Sequence, residues 1–179
     1  MQSYVLRCEM KVARPIAETF VVFENPHNLA RITPPWLNFK VQHGPLEMHQ
    51  GLEIDYTIHW LGLPIRWRTI VTSYDPPKRF IDLQARGPYR LWHHVHRFAA
   101  HGDGAVVSDE VTYVLPLGWL GRMAHSLIVK RQLLGIFRYR QKALAAMLGG
   151  ASEVSPPEVS RGSAISEQQL ADYRTHDGH

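Results

Sequence analysis

From residue 4 to residue 12 the chain alternates cleanly. Leu6, Cys8, Met10 and Val12 fall on one side and Arg7, Glu9 and Lys11 on the other, the period-two signature of a half-buried strand. Pro15 then opens a helix whose apolar stripe is Ile16, Phe20 and Phe23. Asn25-Pro26 breaks it, a short second helix is expected from Pro26 to Ile32, and Pro34-Pro35 ends that one. Trp36, Leu37 and Phe39 lead into a short strand near residues 38–43. A hairpin follows, in which Leu52, Ile54, Tyr56, Ile58 and Trp60 alternate with Glu53, Asp55, Thr57 and His59. With a two-residue turn at Gly62-Leu63, Tyr56 would face Thr69, Ile58 would face Trp67 and Trp60 would face Ile65. The other face would then carry Glu53, Asp55, His59, Arg66 and Arg68, an opposite-charge surface suited to solvent.

Later strands are expected at 79–86, 90–98 and 106–114, separated by Gly87-Pro88 and Gly102-Asp103-Gly104. Leu115-Pro116-Leu117-Gly118 ends the last of them, and a helix covers about 119–148. Its second half has an apolar arc of Val129, Leu133, Ile136, Phe137, Leu144 and Met147 opposite Arg131, Arg138 and Lys142. Arg140 falls inside that arc, so it either snorkels past the core or reaches a buried acid, Asp82 or Asp109. Beyond Gly149-Gly150 the composition turns to Ser, Pro, Glu and Gln. Residues 149–179 read as a disordered acidic tail, with a brief helix after Ser166 where Gln169 could complete a capping box.

The late strands break the usual rule that an inward face is apolar. Phe80, Asp82 and Gln84 share a side, as do Trp92, His94, His96 and Phe98, and Asp109, Val111 and Tyr113. A three-residue turn at 87–89 sets Asp82 opposite His94 and Gln84 opposite Trp92. A four-residue turn at 101–104 sets His96 opposite Asp109, His94 opposite Val111 and Trp92 opposite Tyr113. The reverse face of the last two strands carries His93, Arg97, Ser108, Glu110 and Thr112, so the polar-aromatic face points inward. Buried carboxylate–imidazole pairs are costly unless mutually satisfied. The readings are a structural network of Asp82–His94 and His96–Asp109, recognition of a polar ligand together with Tyr113 and Gln84, or acid–base chemistry by a His–Asp pair. A metal on His94, His96 and a carboxylate is a weak signal from two histidines and loosely paired acids, so neither metal nor cofactor is expected.

Composition narrows the alternatives. The chain has 179 residues, 45% of them hydrophobic, which suits one domain with a real core. No apolar run is long enough to cross a bilayer and the N-terminal segment lacks the order of a signal peptide, so a cytoplasmic protein without a membrane span is expected. The single cysteine, Cys8, excludes an intramolecular disulfide and reads as a small buried hydrophobe. Net charge is +4, but the basic residues are scattered, with no dense Lys/Arg block, so nucleic acid is not an expected partner.

The order strand, two short helices, six strands and long helix resembles the START-like (SRPBCC, birch-pollen-allergen-like) superfamily. Specific matches to its bacterial ligand-binding, polyketide cyclase-like members are Asn25-Pro26-His27-Asn28-Leu29, Ile32-Thr33-Pro34-Pro35-Trp36-Leu37 and Pro64-Ile65-Arg66-Trp67. Others are Phe80 to Tyr89, Trp92 to Phe98, Asp109 to Tyr113 and Phe137-Arg138-Tyr139-Arg140. The resemblance implies an α+β helix-grip fold in residues 1–148, a curved seven-stranded antiparallel sheet wrapped around the long helix, with two short helices between strands 1 and 2. It also implies an internal cavity whose occupant differs between members. Some relatives are lipid carriers, some cyclases, some fused to sugar-nucleotide epimerases; no G-x-G-x-x-G fingerprint is present here.

The expected function is therefore binding of a small hydrophobic or aromatic molecule with a polar end. Tyr56, Trp60, Trp67, Trp92 and Phe98 would supply stacking surface, and Asp82, Gln84, His94, His96, Asp109 and Tyr113, with Arg140, would orient the polar end. The alternative is a cyclase/dehydratase-like enzyme with His94 or His96, paired to Asp82 or Asp109, moving protons. A protein-interaction module is a third, weaker possibility.

Overall fold

The computed structural model describes residues 1–42 and 47–176. Eight strands form one antiparallel sheet in the order β2-β3-β4-β5-β6-β7-β1-β8. β1 is Gln2–Val12, β2 Lys40–Val41, β3 Glu53–Trp60, β4 Leu63–Asp75, β5 Arg79–Arg86, β6 Leu91–His101, β7 Gly104–Val114 and β8 Ala151–Ala164. Between β1 and β2 lie α1 (Ile16–Glu24), a 3-10 turn at Pro26–Asn28, α2 (Leu29–Ile32) and a 3-10 turn at Pro35–Leu37. After β7 come α3 (Gly118–Ala124), a π-helical turn at His125–Val129 and α4 (Lys130–Met147), so the expected single helix is interrupted where it passes His125. Among the described residues no helix is long and apolar enough to cross a membrane. Position 43, the end of the expected second strand, lies outside the described residues, as do 177–179.

The alternation in β1 is realised: Leu6, Cys8, Met10 and Val12 are buried against α4 and the inner sheet face. Phe20 and Phe23 of α1 interlock edge-on with Phe98 and join Phe80, Leu144 and Leu148 in the larger apolar cluster. In α4, Leu133, Phe137 and Leu144 are buried while Arg131, Arg138 and Lys142 are exposed, as the helical period requires.

The β3–β4 hairpin differs from expectation by its turn. Leu61 and Gly62 both take left-handed backbone angles (φ 50° and 81°) and form the two-residue turn. Tyr56 therefore faces Trp67, Ile58 faces Ile65 and Trp60 faces Leu63. Because the shift is two residues, every side chain keeps its face. The outer face carries the expected ion pairs, with Arg68 bonded to both oxygens of Asp55 (2.8 and 2.7 Å).

The largest departure is the tail. Residues 151–164 form β8 on the free edge of β1, which gives the sheet an eighth strand where seven were expected, and residues 167–176 form α5. Low hydrophobicity and Pro156-Pro157 argued for disorder, yet the prolines stand beside a register shift between Arg7/Glu158 and Glu9/Ser155. On an edge strand, a bulge tolerates residues that have no N–H to donate. Gln141 of α4 reaches the same place and donates to the carbonyls of Glu9 and Ser155 (3.1 and 2.8 Å). Beyond it, Ile165 and Leu170 bury against Leu83, Leu91 and Val114 on the outer sheet face. The expected capping box is present: Gln169 N donates to Ser166 Oγ (3.1 Å) and Ser166 N to Gln169 Oε1 (2.9 Å).

Candidate functional site

The curved sheet and α4 do not meet everywhere. Between them, and under α2, lies a cavity of about 430 Å³. Its sheet wall holds Tyr56, Ile58, Trp60, Trp67, Trp92 and, at one end, Asp82, His94 and His96. Leu133, Ile136, Phe137 and Arg140 of α4 face them, and Leu29, Ile32 and Leu37 close the end beneath the short helices. Leu117 and Leu120 line the cavity and are also exposed, at 73% and 48%, so it reaches solvent between the end of β7 and α3.

The polar end follows from register. Asp82 is opposite His94, and His96 opposite Asp109, as the turn lengths implied. The hydrogen bonds nevertheless run diagonally: His94 Nε2 donates to Asp109 Oδ1 and His96 Nε2 to Asp82 Oδ2, both at 2.9 Å. Side chains on a twisted sheet lean along the strand, and an imidazole is long enough to reach the diagonal neighbour. The direct pairs remain close, with His96 Nδ1 2.7 Å from Asp109 Oδ1 and His94 Nδ1 3.7 Å from Asp82 Oδ2. The former is short but poorly aligned for a hydrogen bond. Arg140 turns inward as its place on the helix suggested: its Nε is 3.7 Å from Asp109 Oδ2, and its guanidinium lies over Phe23 at 5.6 Å.

Charge balances across this group. Burial opposes ionisation of Asp109, but Arg140 and the two imidazoles outweigh it and hold the carboxyl well below its usual range. Asp82 is also lowered, the imidazoles and Arg140 overcoming burial. Burial and the neighbouring His96 push His94 down to about 4, so it is neutral at pH 7. For His96, burial is outweighed by Asp109 and Asp82 and the pKa rises. Two carboxylates thus face a guanidinium and two imidazoles, of which His96 is the one whose protonated form its surroundings favour.

Four of the expected site residues do not reach the cavity. Gln84 holds the β5–β6 turn, donating to the Tyr89 carbonyl (2.7 Å) and accepting from the Tyr89 N–H (3.3 Å). Gly87 passes so close to this carboxamide that any Cβ there would collide with it. Phe98 is packed in the aromatic cluster below the site. Tyr113 is fully buried and bonded through its hydroxyl to His125 Nε2 (2.8 Å), which stacks on Tyr4. Asp109 sits behind the two histidines, out of the cavity wall, and also accepts from the Cys8 thiol (3.9 Å).

Gln132 and Thr69, which sequence reasoning did not assign to the site, complete the wall beside residues that it did. Gln132 accepts from the Trp60 indole N–H and ties the hairpin to α4. Thr69 bonds the Tyr56 hydroxyl (3.2 Å). Trp67 lines the cavity with a buried indole nitrogen that has no hydrogen-bond partner among the described residues. Arg140 Nε is likewise buried without one.

No known family profile matches the chain, and no curated protein does. Solved structures do. Protein CV1439 from Chromobacterium violaceum superposes with a TM-score of 0.62 at 17% identity, over 80% of this chain and 96% of that one. Ara h 8.0201 gives 0.55 at 14%, over 80% and 99%. A nucleoside-diphosphate sugar epimerase from Corynebacterium glutamicum gives 0.57 at 20%, over 80% of this chain but 29% of its own. At these identities the likeness establishes the fold: the chain has the START-like, birch-pollen-allergen-like helix-grip architecture.

Proposed function

We propose that this protein binds a small hydrophobic or aromatic molecule inside the cavity, with the molecule's polar end against Asp82, His94, His96 and Arg140. The observation that carries the reading is the division of the cavity wall. Aromatic and aliphatic side chains make up almost all of it, and titratable groups gather at one end. A pocket of this size and make-up suits a drug-sized organic ligand. The unpartnered donors on Trp67 and Arg140 favour a ligand that offers acceptor oxygens, since a buried donor without a partner costs about 1–3 kcal/mol. The exposed Leu117 and Leu120 at the opening give an apolar molecule a non-polar way in.

Native mass spectrometry of protein purified from its own host should find a co-purifying small molecule. In parallel, the amphiphilic dye 1-anilinonaphthalene-8-sulfonate should bind the wild type and fail to bind Ile136→Trp, which adds an indole to the cavity lining. Equal dye binding by a folded Ile136→Trp variant would refute an internal site.

A second reading is supported by His94 and His96 meeting the cavity with carboxylates bonded to them: proton transfer of the cyclase/dehydratase kind. His96→Gln and Asp109→Asn distinguish the two. Loss of turnover with affinity kept favours catalysis, and parallel loss of affinity favours binding alone.

A further inference from the structure

The hydrogen-bond pattern around Asp109 has a consequence for the opposite side of the two imidazoles. Asp109 Oδ1 is approached by His94 Nε2 at 2.9 Å and by His96 Nδ1 at 2.7 Å. A carboxylate can only accept, so His94 Nε2, which donates to Asp109, is protonated. His96 Nδ1 is too poorly aligned to make a hydrogen bond, and the bonded nitrogen of that ring is Nε2, which donates to Asp82. On the opposite side, His94 Nδ1 then carries a lone pair and His96 Nε2 a proton. Both approach the same atom, Asp82 Oδ2, at 3.7 and 2.9 Å. Three electron-rich atoms directed at one another repel unless something positive sits among them. The proton on His96 Nε2 holds them together here; a metal ion that displaces it is the alternative.

We infer that Asp82, His94 and His96 form a binding site for a divalent transition-metal ion of the zinc or cobalt type. One donor atom from each of the three residues lies within 4.8 Å of the other two. Ligands about 2.0–2.1 Å from a tetrahedral ion stand roughly 3.3 Å apart, and the two observed separations, 2.9 and 3.7 Å, bracket that spacing. Two imidazoles and one carboxylate are a donor set suited to such ions. Asp109 performs the outer role such sites require: it accepts from the far nitrogen of His94 and fixes that ring, and it stands 2.7 Å from His96 Nδ1, where it would hold the proton once Nε2 ligated an ion. Arg140, against the other oxygen of Asp109, keeps that carboxylate ionised without competing for the ion. All three ligands face the cavity and Asp109 does not, so the open coordination position points into the cavity. This reverses the expectation from sequence, where two histidines and unassigned acids made a poor case. Diagonal pairing, visible only in three dimensions, changes it.

The ion would share Asp82, His94 and His96 with the polar end of the organic ligand proposed above, but its test does not need that ligand. Metal-free wild-type protein is titrated with Co²⁺ and followed by visible absorption. One equivalent should give the d–d bands of a four- or five-coordinate ion, bleached by Zn²⁺. Asp82→Asn should lose the bands, Asp109→Asn should bind about 10–100-fold more weakly, and His101→Ala, an exposed position, should match the wild type. To guard against a variant that does not fold, wild-type protein labelled with ¹⁵N-histidine is titrated with Zn²⁺. The ring nitrogens of His94 and His96 should shift first. Absence of saturable one-to-one binding, unchanged binding by folded Asp82→Asn, or shifts confined to other histidines would overturn the assignment. None of those results depends on dye binding or on Ile136→Trp, so a failed metal site leaves the cavity reading intact, and the converse also holds.

Discussion

Arg140→Met removes one charge from a buried group of four and keeps most of the side-chain volume. In the wild type, Arg140 Nε stands 3.7 Å from Asp109 Oδ2, with the two side chains 12% and 6% exposed. At an effective dielectric of about 20, charges at that separation attract by about 4 kcal/mol. Methionine leaves Asp109 buried but not abandoned, because His94 still donates to it and His96 stands 2.7 Å away. Breaking a buried pair from one side costs about 3–5 kcal/mol, and the remaining donors place the expected loss near the lower end, about 3 kcal/mol. With a urea slope of about 2 kcal/mol/M, the unfolding midpoint should fall by about 1.5 M. Asp109→Asn removes the charge that Arg140 answers, so the double variant should be less destabilised than the sum of the single variants by about 1.5 kcal/mol or more. A midpoint within about 0.3 M of wild type, or strictly additive effects in the double variant, would show that Arg140 is a surface side chain passing over the core and does not balance the charge of Asp109.

Three further outcomes follow from other parts of the fold. Leu170→Ala, in the helix that packs on the outer face of the sheet, should cost about 2–5 kcal/mol by thermal or chemical unfolding; an unchanged stability would mean that the tail does not dock in solution. Gln141→Leu should leave the carbonyls of Glu9 and Ser155 without their donor, lowering stability by about 1–3 kcal/mol and loosening amide protection in β8; protection equal to wild type would refute that role. His125 lies between Tyr4 and Tyr113, and burial, aided by Lys130, pushes its pKa down to about 4. The unfolded chain binds this proton near the ordinary histidine value and the native state does so only near 4. Stability should therefore rise with pH across that interval, and His125→Gln should flatten the slope by about 1–2 kcal/mol in a pH series of urea melts; an identical slope would count against it.

Strand-level features were readable where two constraints acted together. The pairing of His94 with Val111 and of His96 with Asp109 follows from alternation plus turn length, and both are local properties of the sequence. The β3–β4 turn was displaced because Leu61 takes a left-handed angle, which a leucine does not advertise. Side-chain partners were harder than backbone partners. His94 reaches past Asp82 to Asp109 because of strand twist and the lean of the imidazole, and neither is encoded in register. The α4 side of the cavity was legible only as an apolar arc. Which of its members face the void, as Ile136 does, and which seal against the sheet, as Leu144 does, depends on how the helix is rotated over the sheet. The tail was lost for a different reason: β8 derives its place from partners on β1 more than 140 residues away, such as Lys11 for Glu153 (2.7 Å), and not from its own hydrophobicity.

That last strand also determines how the sheet ends. Without it, β1, paired with β7 on its other side, would present one open edge eleven residues long, enough to recruit a strand from another molecule. With it, the outermost strand carries two adjacent prolines and a bulge, a poor template for further growth. At the other margin, β2 is only two residues long. Both margins of the sheet are thus blunted against self-assembly, and a chain shortened at Gly150 should be recognised first by its tendency to aggregate.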